Sequence, residues 1–424
     1  MKILLQQVNI ISSGSAFDGM CKDVLLSDGM ILKISDPGKI KESADQTIDG
    51  KDKFLCPGFF DLHVNFREPG HEYKEDLISG CHAAMQGGFT GVLCMPSTNP
   101  PVHTRSAVEF IINRTDSQLV DVFPSGTLSF NQEGKDLSEM YDMFNAGAKA
   151  FTDDKKTVQD ASLMLRALLY SRNFGGKIFC FANDRSISAN GQMHEGKIST
   201  NLGLKGIPPI SEEIMISRDL FLAEYTGAAI HFSTISTKRS VELIREAKRK
   251  GLEVSCDVSV LNLALSDKDV EHFETNFKVM PPLREKEDID ELIKGLKDGT
   301  IDAICSDHLP EDVENKKKEF ALAAYGAEGS ETAVAAAYTA LQTQLTKSQL
   351  VEKFSAGPRK ILGIPVPVIE ENAAANLCLF DFNKEWIAHE SDILSKSKNN
   401  PFLSKKLQGK ALYVFNKNQL YSCS

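Results

Sequence analysis

The sequence predicts an α/β chain built around a (β/α)8 barrel of the TIM type, with a small discontinuous β-sandwich domain formed by its two ends. Three observations carry this reading. Eight short apolar, β-rich runs alternate with amphipathic segments between Phe54 and about Gly363. Polar residues gather where those runs end, and the two flanks read as short strands without a strong helix.

The runs are residues 54–60, 91–95, 119–123, 148–151, 177–181, 228–232, 252–256 and 301–305. Eight is the number that closes such a barrel. Between them, Ile289, Leu292, Ile293 and Leu296 fall at helical spacing and Gly299 follows as a stop, while Val241, Ile244 and Ala247 mark a second apolar face ended by Gly251. The polar run ends are Asp61/His63, Ser97/Thr98, Asp153/Asp154, Asn183/Asp184, Thr234, Asp257 and Asp307/His308, which a barrel would bring to one mouth. The expected division is 1–52 and 365–424 for the two parts of the sandwich and 53–364 for the barrel. In the flanks, Ser27-Asp28-Gly29 is a turn signal, and 376–380 and 410–415 are strand candidates.

Bulk properties exclude several classes of function. At 424 residues with 42% hydrophobic side chains, the chain can fill one large core. A net charge of -10 argues against nucleic acid or an anionic membrane as partner, and the run Lys316-Lys317-Lys318 reads as a solvated loop. Nine cysteines lie without C-x-x-C pairs, several inside apolar runs, as reduced thiols would in the cytoplasm. The N-terminus turns polar too soon for a signal peptide, and no apolar stretch reaches the roughly 18 residues a membrane span needs.

The most telling stretch runs from Pro57 to Gly70 and contains Asp61-Leu62-His63-Val64-Asn65-Phe66-Arg67. Two histidines two apart at a strand end present both imidazoles to one metal ion. Here the second position is Asn65, whose amide oxygen is a poor zinc ligand. With Met95-Pro96-Ser97-Thr98-Asn99-Pro100, Ala150-Phe151-Thr152-Asp153-Asp154, Gly203-Leu204-Lys205-Gly206, Lys278 to Arg284 and Ser306-Asp307-His308-Leu309-Pro310 following in order, the chain resembles the dihydroorotase family of the amidohydrolase superfamily over essentially its whole length.

That resemblance implies reversible closure of carbamoyl aspartate to dihydroorotate by a zinc centre that polarises an amide and activates water. It also implies ligand positions. His63, Asp153 and Asp307 match, Asp307 doubling as general base, whereas family histidines fall at Asn65, Phe181 and Thr234. Phe181 offers no lone pair, so a two-metal centre is not expected, and at most one zinc ion remains conceivable on His63, Asp153 and Asp307. The implied substrate positions are Arg67, Ser97, Met280, Glu311 and Gly326; Arg67 could clamp a carboxylate, but Glu311 would repel one.

Two carboxylates in one mouth without a cation repel, so one is expected to be protonated, paired with Arg67 or His308, or matched by a stray ion. Strand alternation makes His231 a packed or hydrogen-bonded residue rather than a substitute ligand. The reading is a dihydroorotase-like scaffold with defective chemistry, a homodimer and a partner of aspartate transcarbamoylase by resemblance. The rivals are an active cyclic amidohydrolase with one metal and a sensor that binds an acidic pyrimidine precursor through Arg67.

Overall fold

A computed structural model describes residues 1–423; Ser424, the last residue of the expected C-terminal segment, lies outside the described residues. Eight parallel strands form the barrel in sequential order: β1 (Phe59–Val64), β2 (Phe89–Cys94), β3 (Asp121–Gly126), β4 (Ala150–Phe151), β5 (Ile178–Phe181), β6 (Ile230–Ser233), β7 (Val254–Ser259) and β8 (Ala303–Cys305). The ring closes between β8 and β1, where the Asn65 amide donates to the His308 carbonyl at 2.8 Å and the His308 amide to that of His63 at 3.1 Å.

Alternation along the strands sorts the side chains. Phe60, Leu62, Leu93, Ala150, Phe179, Ala303 and Cys305 pack together within the ring, whereas Phe59, Val92, Phe151, Ile178 and Ile304 join the larger core between strands and helices. The expected helices are Lys286–Asp298, ended by Gly299 in the left-handed region, and Lys238–Arg249, followed by Gly251 at φ 82°. Their stops follow the physical reason given by the sequence.

Both termini contribute to one mixed eight-stranded sheet that curls round its own core of Ile3, Leu5, Val24, Leu55, Leu377, Leu379 and Phe415. Asp28 and Gly29 both take positive φ, as a two-residue hairpin turn requires. One expected element is divided: run 54–60 is two strands. Phe54–Pro57 pairs with Leu377–Ile387 of the terminal sheet, and the barrel starts at Phe59. Gly58 sits at the junction, where a Cβ would stand 2.1 Å from Thr90 Oγ1 and 2.4 Å from Asn376 Oδ1. Apolar content could not reveal that break, because both halves are apolar and largely buried.

All nine cysteines are free thiols and eight are buried. Among the described residues, no helix is long and apolar enough to cross a membrane.

Arg284, fully buried, ties the loop after β7 to the segment after β5. Its guanidinium donates to Ser236 Oγ at 2.9 Å, the Ile207 carbonyl at 3.3 Å and His194 Nδ1 at 3.1 Å. Burial and then the Arg284 charge push the His194 pKa from 6.5 down to about 4. The unfolded chain therefore binds this proton below pH 6.5 while the folded chain refuses it until about pH 4. This stability is complete above pH 6.5 and is lost as pH falls towards 4. In urea unfolding, wild type should lose about 2 kcal/mol more than His194→Gln between pH 7 and pH 5. Equal losses in both proteins would remove His194 from the pH response.

Candidate functional site

The mouth is built where β1, β4, β5, β6 and β8 end. Four of its non-glycine residues, Arg67, Asp154, Thr234 and Asp307, hold φ between 51° and 62°. Such backbone costs on the order of 1–3 kcal/mol per residue, most clearly for a β-branched threonine, and clusters where side chains must be aimed at a common point. The sequence carries no direct signal of it.

His63 is the hub. Its Nε2 lies 2.9 Å from Asp154 Oδ1 and 3.6 Å from Asp307 Oδ1, all three side chains being buried. Burial and the Lys155 charge oppose protonation of His63; the hydrogen bond and charge of Asp154, with the charge of Asp307, outweigh them and raise its pKa. Burial alone would raise Asp154, but His63 and Lys155 hold its carboxyl well below the usual carboxylate range. His63 Nε2 and Asp154 Oδ1 thus share a buried hydrogen bond.

This corrects one expected site residue. Asp153 is not in the mouth: its Oδ1 accepts the Leu128 and Ser129 amides at 3.0 and 2.9 Å, and its Oδ2 accepts the Ser129 hydroxyl. Burial raises its pKa to about 6. Alternation explains the swap, since Ala150 packs inside the ring and Phe151 outside, which carries Asp153 outward and Asp154 inward. That signal was present in the run Ala150 to Asp154.

The counter-charge also differs from expectation. Neither Arg67 nor His308 pairs with Asp307; Lys155 does, with Nζ 2.8 Å from Oδ1. The same ammonium donates to Thr234 Oγ1 at 3.3 Å and stands 4.7 Å from the centre of the Phe181 ring. His308 is turned away, with its ring nitrogens 3.8 Å from Glu75 and 3.5 Å from Glu328. His231 contacts Ser255 Oγ and Asp257 Oδ2, each at 2.9 Å, so it is hydrogen-bonded within the fold.

On the substrate side, Arg67 donates to the Pro310 carbonyl at 3.1 Å and to Glu311 Oε1 at 2.8 Å, and Lys74 takes Glu311 Oε2 at 2.7 Å. Glu311 thus supplies from within the carboxylate that Arg67 would have taken from a ligand. Ser97 Oγ accepts from Gln132 at 3.1 Å, Met280 is half-buried, and the Gly326 carbonyl accepts from Lys316 and Asn399 at 2.9 and 3.1 Å. Sequence reasoning placed Asp154 at the mouth but gave its role to Asp153, and it missed Lys74 and Lys155; a lysine on a loop carries no pattern that marks it as inward-facing.

A two-metal centre does not fit these residues. Phe181 lacks a donor atom and Thr234 is neutral and engaged by Lys155, whereas His63 Nδ1 and both Asn65 amide atoms are buried without a hydrogen-bond partner. A monocation about 4 Å from a divalent ion would add about 8 kcal/mol of repulsion at an effective dielectric constant near 20. Among the described residues, no group of three or more His, Cys, Asp or Glu side chains could hold a metal ion.

The barrel and terminal sheet recur together in solved structures. L-hydantoinase (dihydropyrimidinase) from Arthrobacter aurescens superposes with a TM-score of 0.85 at 24% identity, covering 99% of this chain and 96% of that one. The family model described as dihydro-orotase-like matches residues 52–240. Relatives named dihydroorotase are 42% identical in Syntrophus aciditrophicus, over 97% of both chains, and 43% identical in Acetivibrio thermocellus, over 92% of both. The chain belongs to the dihydroorotase family.

Because Glu311 pairs with both Arg67 and Lys74, Glu311→Gln should open an anion site. Calorimetry with succinate is expected to show at least about tenfold tighter binding than wild type, about 1.4 kcal/mol. Unchanged affinity would mean that the two cations are not available to a ligand.

Proposed function

We propose that this chain is a dihydroorotase-family protein that has left metal-dependent hydrolysis of cyclic amides and acts as a structural partner in pyrimidine biosynthesis in the cytoplasm. The observation that carries the reading is the Lys155 ammonium lying among Asp307, Thr234 and Phe181, at the strand ends where a hydrolytic family member needs ligands. Asp307, the residue in the general-base position, is committed to an ion pair, and Arg67 to Glu311. Without an activated water or a free carboxylate clamp, neither half of the reaction is supported. Aspartate transcarbamoylase is the partner that the family resemblance proposes, with the chain itself forming dimers.

A second reading is supported by the relatives. Full-length similarity of about 40% to proteins named dihydroorotase favours an active enzyme with one metal ion, held by His63, Asp154 and Asp307. It requires Lys155 to move away first.

Turnover separates the two. Protein produced in zinc-replete medium is expected to show no interconversion of dihydroorotate and carbamoyl aspartate, with or without added zinc, and to co-elute with aspartate transcarbamoylase of the same cell in gel filtration. Zinc-dependent turnover would establish the second reading, and separate elution would remove the partner role.

A further inference from the structure

We propose that Lys155 is a tethered cation that replaces the divalent ion in this mouth, so that folding itself neutralises the carboxylates. The inference rests on the reading that the mouth has left metal chemistry, and it assigns the reason why the mouth can persist without it.

The argument starts from the surroundings of the ammonium. Lys155 follows the inward-facing Asp154 and is followed by Lys156, which is exposed. Its own side chain is only 16% exposed, although a lysine on a loop ordinarily keeps its charge in water and gains rotamer freedom there. The residues that receive it suit a monocation. Asp307 gives a full negative charge at 2.8 Å, Thr234 an acceptor oxygen at 3.3 Å, and Phe181 the negative face of a ring at 4.7 Å. Carboxylate, hydroxyl and aromatic ring are a good cradle for an ammonium and a poor one for zinc, which selects nitrogen, sulfur and anionic oxygen.

The positions are linked in a second way. Thr234 and Phe181 are where the family resemblance places histidines, so both changes fall on residues that now touch Lys155. The two replacements contact the same charge. Asp154, its neighbour in the chain, is bonded to His63, so His63 and Lys155 both face Asp154 and Asp307.

The test uses the full-length chain as wild type, Lys155→Ala and Lys155→Met. Each is treated with a strong chelator and then dialysed against zinc chloride. Melting temperature and bound zinc by mass spectrometry are read, with dihydroorotate turnover measured in parallel. Wild type is expected to melt at one temperature in chelator and in zinc and to retain no stoichiometric zinc. Lys155→Ala should melt several degrees lower, bind zinc on the order of a hundredfold more tightly than wild type, and regain stability with it. Lys155→Met, which keeps the stem and loses the charge, should also melt lower.

Stoichiometric zinc on wild type overturns the proposal. So do variants that melt like wild type, and so do destabilised variants that take up no zinc. Should neither variant fold, the zinc content and chelator response of wild type decide it. Turnover by zinc-free wild type would sink the proposed function and leave the role of Lys155 standing; inactive wild type with unaffected variants would sink this proposal alone.

Discussion

Closing eight strands into a ring brings Asp154, Asp307 and Glu311 into one mouth with little water, and the site is arranged around neutralising them. Lys155 and His63 meet the two aspartates, and Arg67 and Lys74 meet the glutamate. Removing one member of such a buried pair leaves an uncompensated charge and typically costs about 3–5 kcal/mol. The same constraint accounts for the strained backbone at Arg67, Asp154, Thr234 and Asp307, because each turn aims a side chain that the charge balance needs.

A family member that hydrolyses cyclic amides has to leave this charge balance incomplete. Its carboxylates await a metal and its arginine awaits a substrate carboxylate, so stability is withheld at the site until both arrive. Here an internal ammonium and an internal carboxylate fill those two roles. In the proposed reading, these internal pairs weaken the physical reason to bind either ligand. Fold similarity to cyclic amide hydrolases is unaffected, since the residues that make the ring are apolar and lie along the strands, away from these charges.

Much of this was legible in the sequence because hydrophobic periodicity follows burial. The eight barrel strands, the helices ended by Gly299 and near Gly251, and the flanking strands all appear in their apolar spacing. What could not be read depends on direction. Residues 54–60 are apolar throughout, and only the close approach of Thr90 and Asn376 to Gly58 marks where the chain passes from the terminal sheet to the barrel. Asp153 and Asp154 are chemically identical, and the parity of β4 decides which of them faces inward. Lys155 was invisible for a related reason: a loop lysine is usually solvated, and its capture depends on three partners that lie 26 to 152 residues further on in the chain. The losses at Asn65, Phe181 and Thr234 were legible; what took up the freed space was not.

The central claim is that a protein side chain holds the cation position of this mouth. Anomalous X-ray scattering collected across the zinc edge, from crystals grown with excess zinc, tests it most directly. The account predicts no anomalous peak within roughly 3 Å of the Asp307 carboxylate, a distance beyond any zinc–oxygen bond, and ordered density for Lys155 against Asp307. A peak shared by His63, Asp154 and Asp307, with Lys155 displaced, would contradict it.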